Sequence, residues 1–224
     1  MICFGHRGAS GYEPENTLRS FKRAIEIGCD WIELDVHLAD QQIIVIHDDD
    51  LSGTTNGTGS TSSRSFTYLR SLDMGKGERI PTLGEVIALV DHQCSINIEL
   101  KGADTAAAVS QFLASSHYPK KEILISSLDH DELALMDASW DRGALFKETS
   151  SDYVDRARAL HAVSINFERH LVTESLVAEA HNAGLKVYVF TVNTHADIKQ
   201  MQALAVDGIF SDFPDRVLAT QDRH

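Results

Sequence analysis

Two histidines near the start of the chain are placed to act together in proton transfer. His6 and His47 each follow a short apolar run, and each is followed at once by a charged residue. Imidazole titrates near neutral pH, so one ring of a pair can take a proton while the other gives one. A single histidine at such a place is more often structural, but the repeated pattern favours catalysis.

Two further segments carry carboxylates in a pattern that suits a metal ion. Glu33 and Asp35 lie two residues apart, and Glu99 and Lys101 repeat this spacing. Residues two apart on a β-strand share a face, so both segments would direct charged side chains to one side. Buried unpaired carboxylates are costly, so a cation must lie among them. All-oxygen ligands favour Mg²⁺ or Ca²⁺ over Zn²⁺.

Structural ion pairing, of Glu99 with Lys101 or with Arg7, is the alternative interpretation of these acids. For one strand alone the two interpretations are equally good, since ion-pair networks also gather charged groups. Both strands together with the two histidines favour the metal site.

Several neighbouring residues could bind a phosphate. Arg7 offers a planar fork for two phosphate oxygens, and Lys101 offers a point charge. Asn16 has two interpretations of equal weight: it hydrogen-bonds the substrate, or it caps the helix that begins at Thr17. Together with the histidines and carboxylates, these groups indicate a site for phosphodiester chemistry.

The elements that must position these residues alternate between strands and helices. The predicted strands are 2–5, 31–37, 43–47, 96–100, 123–126, 144–146, 163–166, 187–192 and 208–211. The predicted helices are 17–28, 83–90, 104–116, 130–138, 153–161, 173–183 and 195–205. Such alternation predicts βα units and an α/β fold with a parallel sheet.

The link between the second and third predicted strands decides the fold. Residues 38–42 are too few for a crossover helix, so these two strands are predicted to form an antiparallel hairpin. The remaining eight strands then close as a TIM (βα)8 barrel, in which strand carboxyl ends carry the catalytic groups. The hairpin would also bring His47 and Asp48 beside Glu33 and Asp35.

Residues 51–81 are predicted to form a small insertion after the His47-Asp48 strand, within a single domain that spans residues 1–224. Residues 52–65 are Ser, Thr, Gly and Asn with one arginine, Arg64. The segment is too long for a typical loop. We expect a surface insertion over the site that acts as a lid, while a mobile spacer without function fits the composition equally well.

Charge and cysteine content limit the partners and the compartment. A formal net charge of −13 disfavours nucleic acid and anionic membranes as partners, which leaves a small-molecule substrate. Cys3, Cys29 and Cys94 lie far apart without a CxxC pair, which favours free thiols in a reducing compartment. The first strand begins next to Met1 and no apolar run could span a bilayer, so we expect a cytoplasmic protein without stable membrane association.

The chain resembles the glycerophosphodiester phosphodiesterase family from end to end. The matching segments, in the family's order, are His6-Arg7-Gly8, Pro14-Glu15-Asn16-Thr17, 21–28, 30–36, His47-Asp48, 54–59, 80–83, Glu99-Leu100-Lys101, Ser126-Ser127, Thr191-Val192-Asn193 and 206–215. The resemblance implies a barrel with a small insertion. It also implies hydrolysis of glycerophosphodiesters, such as glycerophosphocholine or glycerophosphoethanolamine, to an alcohol and sn-glycerol 3-phosphate.

The resemblance further implies a role for each site residue. The metal ligands would be Glu33, Asp35 and Glu99, the acid/base pair His6 and His47, and the phosphate-binding residues Arg7 and Lys101. The implied reaction is attack by the glycerol 2-hydroxyl, followed by hydrolysis of a cyclic phosphate. Phe190 stands where the family more often has tryptophan, so we assign it, with Asn16, to substrate binding.

Two other functions are compatible with the same fold. A lysophospholipase D-type enzyme acting on lysolipids would need an apolar groove or a membrane-docking surface, and the acidic chain has no obvious one. A non-catalytic barrel that binds glycerol phosphates predicts the loss of a proton-transfer or metal residue, yet all of them are present.

Overall fold

Eight parallel strands close into a barrel at the centre of the computed structural model, which describes residues 1–116 and 118–221. With β3, which lies outside the barrel, the sheet of the described residues has nine strands. They are β1 (Ile2–Gly5), β2 (Trp31–Ala39), β3 (Gln42–Val45), β4 (Ser95–Leu100), β5 (Ile123–Ser127), β6 (Asp141–Phe146), β7 (Ser164–Glu168), β8 (Lys186–Phe190) and β9 (Gly208–Ser211). β1 pairs with both β2 and β9, which closes the ring. The predicted TIM barrel is confirmed. Residue 117 and residues 222–224, which the single-domain prediction also covers, lie outside the described residues.

β2 and β3 form the predicted antiparallel hairpin beside the ring. Ala39 pairs with Gln42, so only Asp40 and Gln41 connect the two strands. Both residues have positive φ, 48° and 60°, as in a type I′ turn, whose twist matches that of the paired strands. The returning chain reaches the barrel again where the Ile46 N–H donates to the Asp35 carbonyl oxygen at 3.0 Å.

Helices surround the barrel, as the sequence predicts. They are α1 (Leu18–Ile27), α2 (Phe66–Arg70), α3 (Leu83–Val90), α4 (Thr105–Ser116), α5 (His130–Ala134), α6 (Tyr153–Ala159), α7 (Glu174–Asn182), α8 (His195–Ala203) and α9 (Pro214–Leu218). Apart from α2, their buried faces share one core with the outward side chains of the strands, such as Ile32 and Leu34. In the part of the chain that the structure describes, no helix has the length and apolar character needed to span a bilayer.

Three helices differ from the sequence prediction. The helix predicted at 130–138 ends at Ala134, because the chain continues in turns in which Leu135 and Met136 donate to carbonyls three residues back. The sequence predicts neither α2 nor α9, since five residues are too few to show a helical period.

Aromatic side chains fill the barrel interior below its mouth. Phe4, Leu124, Tyr188 and Phe210 form a buried cluster, in which the Phe4 ring stacks on Phe210 with 4.3 Å between ring centroids. These apolar side chains fill the barrel interior, and polar side chains lie above them where the strands end.

Residues 51–81 pack against the hairpin. They contain a 3₁₀ turn, Thr61–Ser63, and α2. A small second core joins the insertion to hairpin residues, and its members are Ala39, Ile44, Ile46, Leu51, Leu69, Leu72, Met74 and Ile80. The insertion therefore supports the segment that leads to His47.

The loop between β1 and α1 adopts a conformation that glycine permits. Gly8 has a φ of 86°, and the N–H of the next residue, Ala9, donates to the Ser20 carbonyl oxygen at 3.1 Å. A Cβ atom on Gly8 would lie 2.6 Å from the Ser20 carbonyl carbon and 2.8 Å from the Phe21 nitrogen, both backbone atoms of α1. The loop that carries His6 therefore depends on glycine at this position.

Gly8→Ala should destabilise the protein by more than the roughly 1–2 kcal/mol that alanine costs in the left-handed region, because α1 must also move. Gly77→Ala is the matched control: Gly77 has a φ of 78°, and no atom lies within 4 Å of its added Cβ. Chemical denaturation of both variants gives the two free energies of unfolding. A Gly8→Ala variant no less stable than Gly77→Ala would contradict the close approach.

Candidate active site

A cavity of about 400 Å³ opens where the barrel strands end. Seven of the predicted site residues line it, namely His6, Arg7, Glu33, His47, Glu99, Lys101 and Phe190. Asp35 and Asn16 lie behind this lining and are 1% and 0% exposed. Every residue of 51–81 is described and none lines the cavity, so in this conformation the insertion does not cover it.

Three carboxylates from β2 and β4 form a buried cluster beside the cavity. Glu33, Asp35 and Glu99 each offer an oxygen atom, and these atoms lie within 4.8 Å of one another. The strand register explains the cluster, since Asp35 and Glu99 are paired directly across β2 and β4. Three oxygen ligands at this spacing could hold one hard divalent cation.

Two cationic side chains already pair with part of this cluster. The Lys101 Nζ lies 2.5 Å from Glu99 Oε1 and 3.4 Å from Asp35 Oδ1, and the Arg7 Nε lies 3.3 Å from Asp35 Oδ2. Burial alone would raise the pKa of Asp35, but the charges of Lys101 and Arg7 outweigh it and lower that pKa to about 2. Of the two ion pairs in the alternative interpretation, Glu99 with Lys101 is present, whereas Arg7 pairs with Asp35 and Glu15.

These ion pairs leave Glu33 without a balancing charge of its own. Its Oε2 accepts a hydrogen bond from the Arg7 backbone N–H at 2.8 Å, while its buried Oε1 has no partner among the described residues. Burial and the negative charges of Asp35 and Glu99 raise the pKa of Glu33 well above its ordinary value. A buried carboxylate with a partnerless oxygen fits a metal ligand, so the donor set suits a divalent cation.

Arg7 is held at the edge of the cavity by acids on two sides. Its Nη1 donates to Glu15 Oε1 at 2.9 Å, and its Nε faces Asp35. Burial would lower the pKa of Arg7, but Asp35, Glu15 and Glu33 raise it above its ordinary value. The guanidinium is therefore a fixed positive charge on the cavity wall.

The two histidines present the same hydrogen-bonding arrangement to the cavity. His6 Nδ1 lies 2.6 Å from Asp212 Oδ1, and His47 Nδ1 lies 2.6 Å from Asp48 Oδ1. Each ring thus uses one nitrogen on a carboxylate and keeps Nε2 for another partner. His6 directly follows a barrel strand, as expected, whereas His47 arrives from β3, which runs antiparallel to the barrel.

The contacts of Asn16 match neither of the two interpretations made from the sequence. The helix cap is Thr17, whose side chain accepts from the Ser20 N–H, so the capping alternative is wrong. The Asn16 amide donates to Asp35 Oδ2 at 2.9 Å and accepts from the Asp35 N–H at 3.3 Å. Because both ends of this fully buried amide bond Asp35, it holds a carboxylate in place and does not line the cavity.

Phe190 lies at the end of β8, on the cavity wall across the barrel from the carboxylates. This half of the lining mixes apolar and charged groups, and its other members are Leu145, Lys147, Glu168, Arg169, His170, Thr191 and Phe210. The mixed lining could contact the parts of a substrate that extend from its reacting group.

The sequence analysis assigned no role to Asp212, which follows β9 and binds His6. Its carboxylate also accepts from Asn193 Nδ2 at 2.6 Å. Burial would raise the pKa of Asp212, but the hydrogen bonds from His6, Asn193 and Ser10 and the charge of His6 together outweigh it and lower that pKa to about 2. A signal was available, because polar residues that directly follow a barrel strand are candidates for the site.

Comparisons with known proteins agree with this fold. A sequence model of the glycerophosphoryl diester phosphodiesterase family matches residues 6–216. A glycerophosphodiester phosphodiesterase from Caldanaerobacter subterraneus subsp. tengcongensis is 34% identical, over 97% of this chain and 96% of its own. One from Bacillus altitudinis is 33% identical, over 98% and 97%. A solved Oleispira antarctica phosphodiesterase, in complex with the product sn-glycerol-3-phosphate, is 30% identical with a TM-score of 0.92 and covers 98% of this chain and 96% of its own.

The barrel, its cavity and these comparisons define an enzyme of the phosphodiesterase class. The chain belongs to the glycerophosphoryl diester phosphodiesterase family, which confirms the resemblance found in its motifs.

Glu33→Gln should raise the melting temperature of the metal-free protein at neutral pH. A carboxyl group whose pKa is raised in the folded state contributes fully to folding stability only below its ordinary pKa of 4.5. That contribution is lost as the pH rises through the raised pKa. The glutamine amide does not ionise and so loses no stability in this way. The difference in melting temperature between variant and wild type should therefore grow with pH.

Thermal unfolding in the presence of a chelator, from about pH 5 to about pH 8, measures this difference. Glu179→Gln, at an exposed position on α7, is the control and should follow the wild-type curve. A Glu33→Gln curve parallel to wild type over the whole range would show that Glu33 ionises without cost.

Proposed function

We propose that this enzyme is a metal-dependent hydrolase that converts glycerophosphodiesters, such as glycerophosphocholine or glycerophosphoethanolamine, to an alcohol and sn-glycerol 3-phosphate. One observation carries the proposal: a cluster of three carboxylates adjoins a cavity whose lining includes the imidazoles of His6 and His47 and the cationic side chains of Arg7 and Lys101. Cleavage of a phosphodiester needs positive charge near the phosphate and groups that transfer protons. All of these groups are at the same end of the barrel.

Glu33, Asp35 and Glu99 would hold one divalent cation, Mg²⁺ or Ca²⁺. The partnerless oxygen of Glu33 supports this assignment, because the protein's own cations leave it unneutralised. When bound, the cation supplies charge neutralisation at the phosphate and a coordination site for a glycerol hydroxyl. Asn16 would act indirectly, by holding Asp35 through two hydrogen bonds.

Arg7 and Lys101 would bind the phosphate from the cavity wall. Both side chains pair with the carboxylates on one side and line the cavity on the other. Their positive charge offsets, locally, the net charge of −13 that would otherwise repel an anionic substrate. Phe190 would contact the glycerol or the alcohol.

His6 and His47 would transfer the protons. The glycerol 2-hydroxyl attacks phosphorus, one imidazole takes the hydroxyl proton, and the other protonates the departing alcohol oxygen as the P–O bond breaks. Water then opens the cyclic phosphate with the two roles exchanged. The equivalent arrangement of the rings, each with Nδ1 on a carboxylate, supports such an exchange.

The cytoplasmic location and the lack of stable membrane association stay predictions.

A panel of glycerophosphodiesters assayed with and without metals tests the proposed function. We expect chelation to stop turnover, because Glu33, Asp35 and Glu99 would then lack their cation, and added Mg²⁺ or Ca²⁺ to restore it. Glycerophosphocholine should be cleaved faster than lysophosphatidylcholine. Full activity after chelation would refute the ligand assignment, and faster cleavage of the lysolipid would favour the lysophospholipase D alternative.

His6→Ala and His47→Ala should each lower kcat by about 10²- to 10⁴-fold, the usual contribution of a general acid or base. Neither ring bonds the carboxylate cluster, so metal binding and the melting temperature should change little. Steady-state kinetics, calorimetric metal titration and thermal unfolding measure these quantities. His195→Ala, at an exposed position on α8, is the control for loss of an imidazole. A near-normal rate in either site variant would remove that histidine from the mechanism.

A further inference from the structure

A chain of hydrogen bonds connects Asn193, Asp212 and His6, and the donor and acceptor of each bond can be assigned. The first donor is the backbone N–H of Asp212, which lies 2.9 Å from Asn193 Oδ1. The Ser211 hydroxyl donates to the same oxygen at 3.1 Å. A backbone N–H can only donate, so this end of the Asn193 amide must be the carbonyl oxygen. The other end must therefore be the NH₂ group.

The orientation of Asn193 in turn sets the role of the Asp212 side chain. Asn193 Nδ2 donates to Asp212 Oδ2 at 2.6 Å. The second oxygen, Oδ1, lies 2.6 Å from His6 Nδ1 and 2.9 Å from the Ser10 hydroxyl. An ionised carboxylate accepts and cannot donate, so the short contact with His6 requires a proton on Nδ1. Nε2 of the neutral ring then carries a free lone pair.

We propose that Asp212, oriented by Asn193, is a positioning residue that selects the Nδ1–H tautomer of His6 and so leaves Nε2 free to accept the substrate's proton. The proposal rests on the proposed function, in which His6 transfers a proton. Asp212 itself would touch neither the substrate nor the metal. The hydrogen bond to the second nitrogen is what fixes a histidine tautomer in general.

Asp48, the partner of His47, is less buried than Asp212 and has fewer hydrogen bonds. Asp48 has a half-exposed side chain, and among the described residues no hydrogen bond other than that of His47 reaches its carboxylate. The Asp212 carboxylate is more buried and has three hydrogen-bond partners. The same rule places a proton on Nδ1 of His47, whose contact with a carboxylate has the same length, but the more enclosed Asp212 carboxylate holds the tautomer of His6 more firmly.

Asp212→Asn should reverse the tautomer with almost no change in shape. The new amide faces the fixed NH₂ group of Asn193, so its oxygen must turn toward Asn193 and its own NH₂ toward His6. His6 Nδ1 must then accept, which moves the proton to Nε2. We expect kcat to fall by about 10²- to 10⁴-fold with little change in KM. Long-range ¹H–¹⁵N spectra of the His6 ring should show the Nε2–H form.

The exchanged pair Asn193→Asp with Asp212→Asn should restore the original tautomer. The carboxylate at 193 accepts from the backbone N–H and from the new amide at 212, whose oxygen again faces His6 Nδ1. We expect the Nδ1–H form to return, and kcat to recover by at least about tenfold over Asp212→Asn. If Asp212→Asn does not fold, the spectrum of the exchanged pair decides alone.

Asp207→Asn is the matched control, because Asp207 also binds a histidine, His181 at 2.8 Å, but lies before β9, away from the cavity. Its kcat should equal wild type. The proposal is overturned if Asp212→Asn keeps the Nδ1–H form, or if the exchanged pair shows the Nε2–H form or is no faster than Asp212→Asn. Wild-type protein without glycerophosphodiesterase activity would refute the proposed function instead, and the spectra would still decide the tautomer.

Discussion

The site depends on an imbalance of charge inside the barrel mouth. Three buried carboxylates each offer an oxygen within 4.8 Å of the others, and the two neighbouring cationic side chains pair with Asp35 and Glu99. In the part of the chain that the structure describes, one oxygen of Glu33 has no hydrogen-bond partner. Desolvated charge of this kind is unfavourable unless a counter-ion balances it. The carboxylates also fix Arg7 and Lys101 on the cavity wall. The arrangement is therefore both a cost to the fold and the origin of its chemistry.

The two histidines that we propose as proton-transfer groups reach the cavity by different routes. His6 follows β1, so its place is set by the parallel barrel and by the glycine-dependent loop that packs on α1. His47 comes from a hairpin that leaves the ring, turns at Asp40 and Gln41, and returns to the level of Asp35. One ring thus depends on the barrel and the other on an added antiparallel element.

Most of the fold, and seven of the residues that line the cavity, could be predicted from the sequence. Strong alternation of apolar and helical segments gave all nine strands, and the short link 38–42 identified the hairpin. The roles of Asn16 and Asp212 could not be obtained in this way. Their partners, Asp35 and His6, lie 19 and 206 residues away, so only the closed barrel brings the atoms together. Short helices such as α9 escape periodicity for lack of residues.

The second core beneath the hairpin divides the molecule into units that need not lose order together. Ile44 and Ile46, in the segment that leads to His47, pack with residues 51–81 in the second core, although Val45 packs in the main core. The strands that lead to His6 and carry the carboxylates pack in the main core. Cooperative units of this kind open with separate free energies. On warming, β3 and residues 51–81 can detach from β2 while the barrel remains folded, so inactivation would precede global melting and be reversible on cooling.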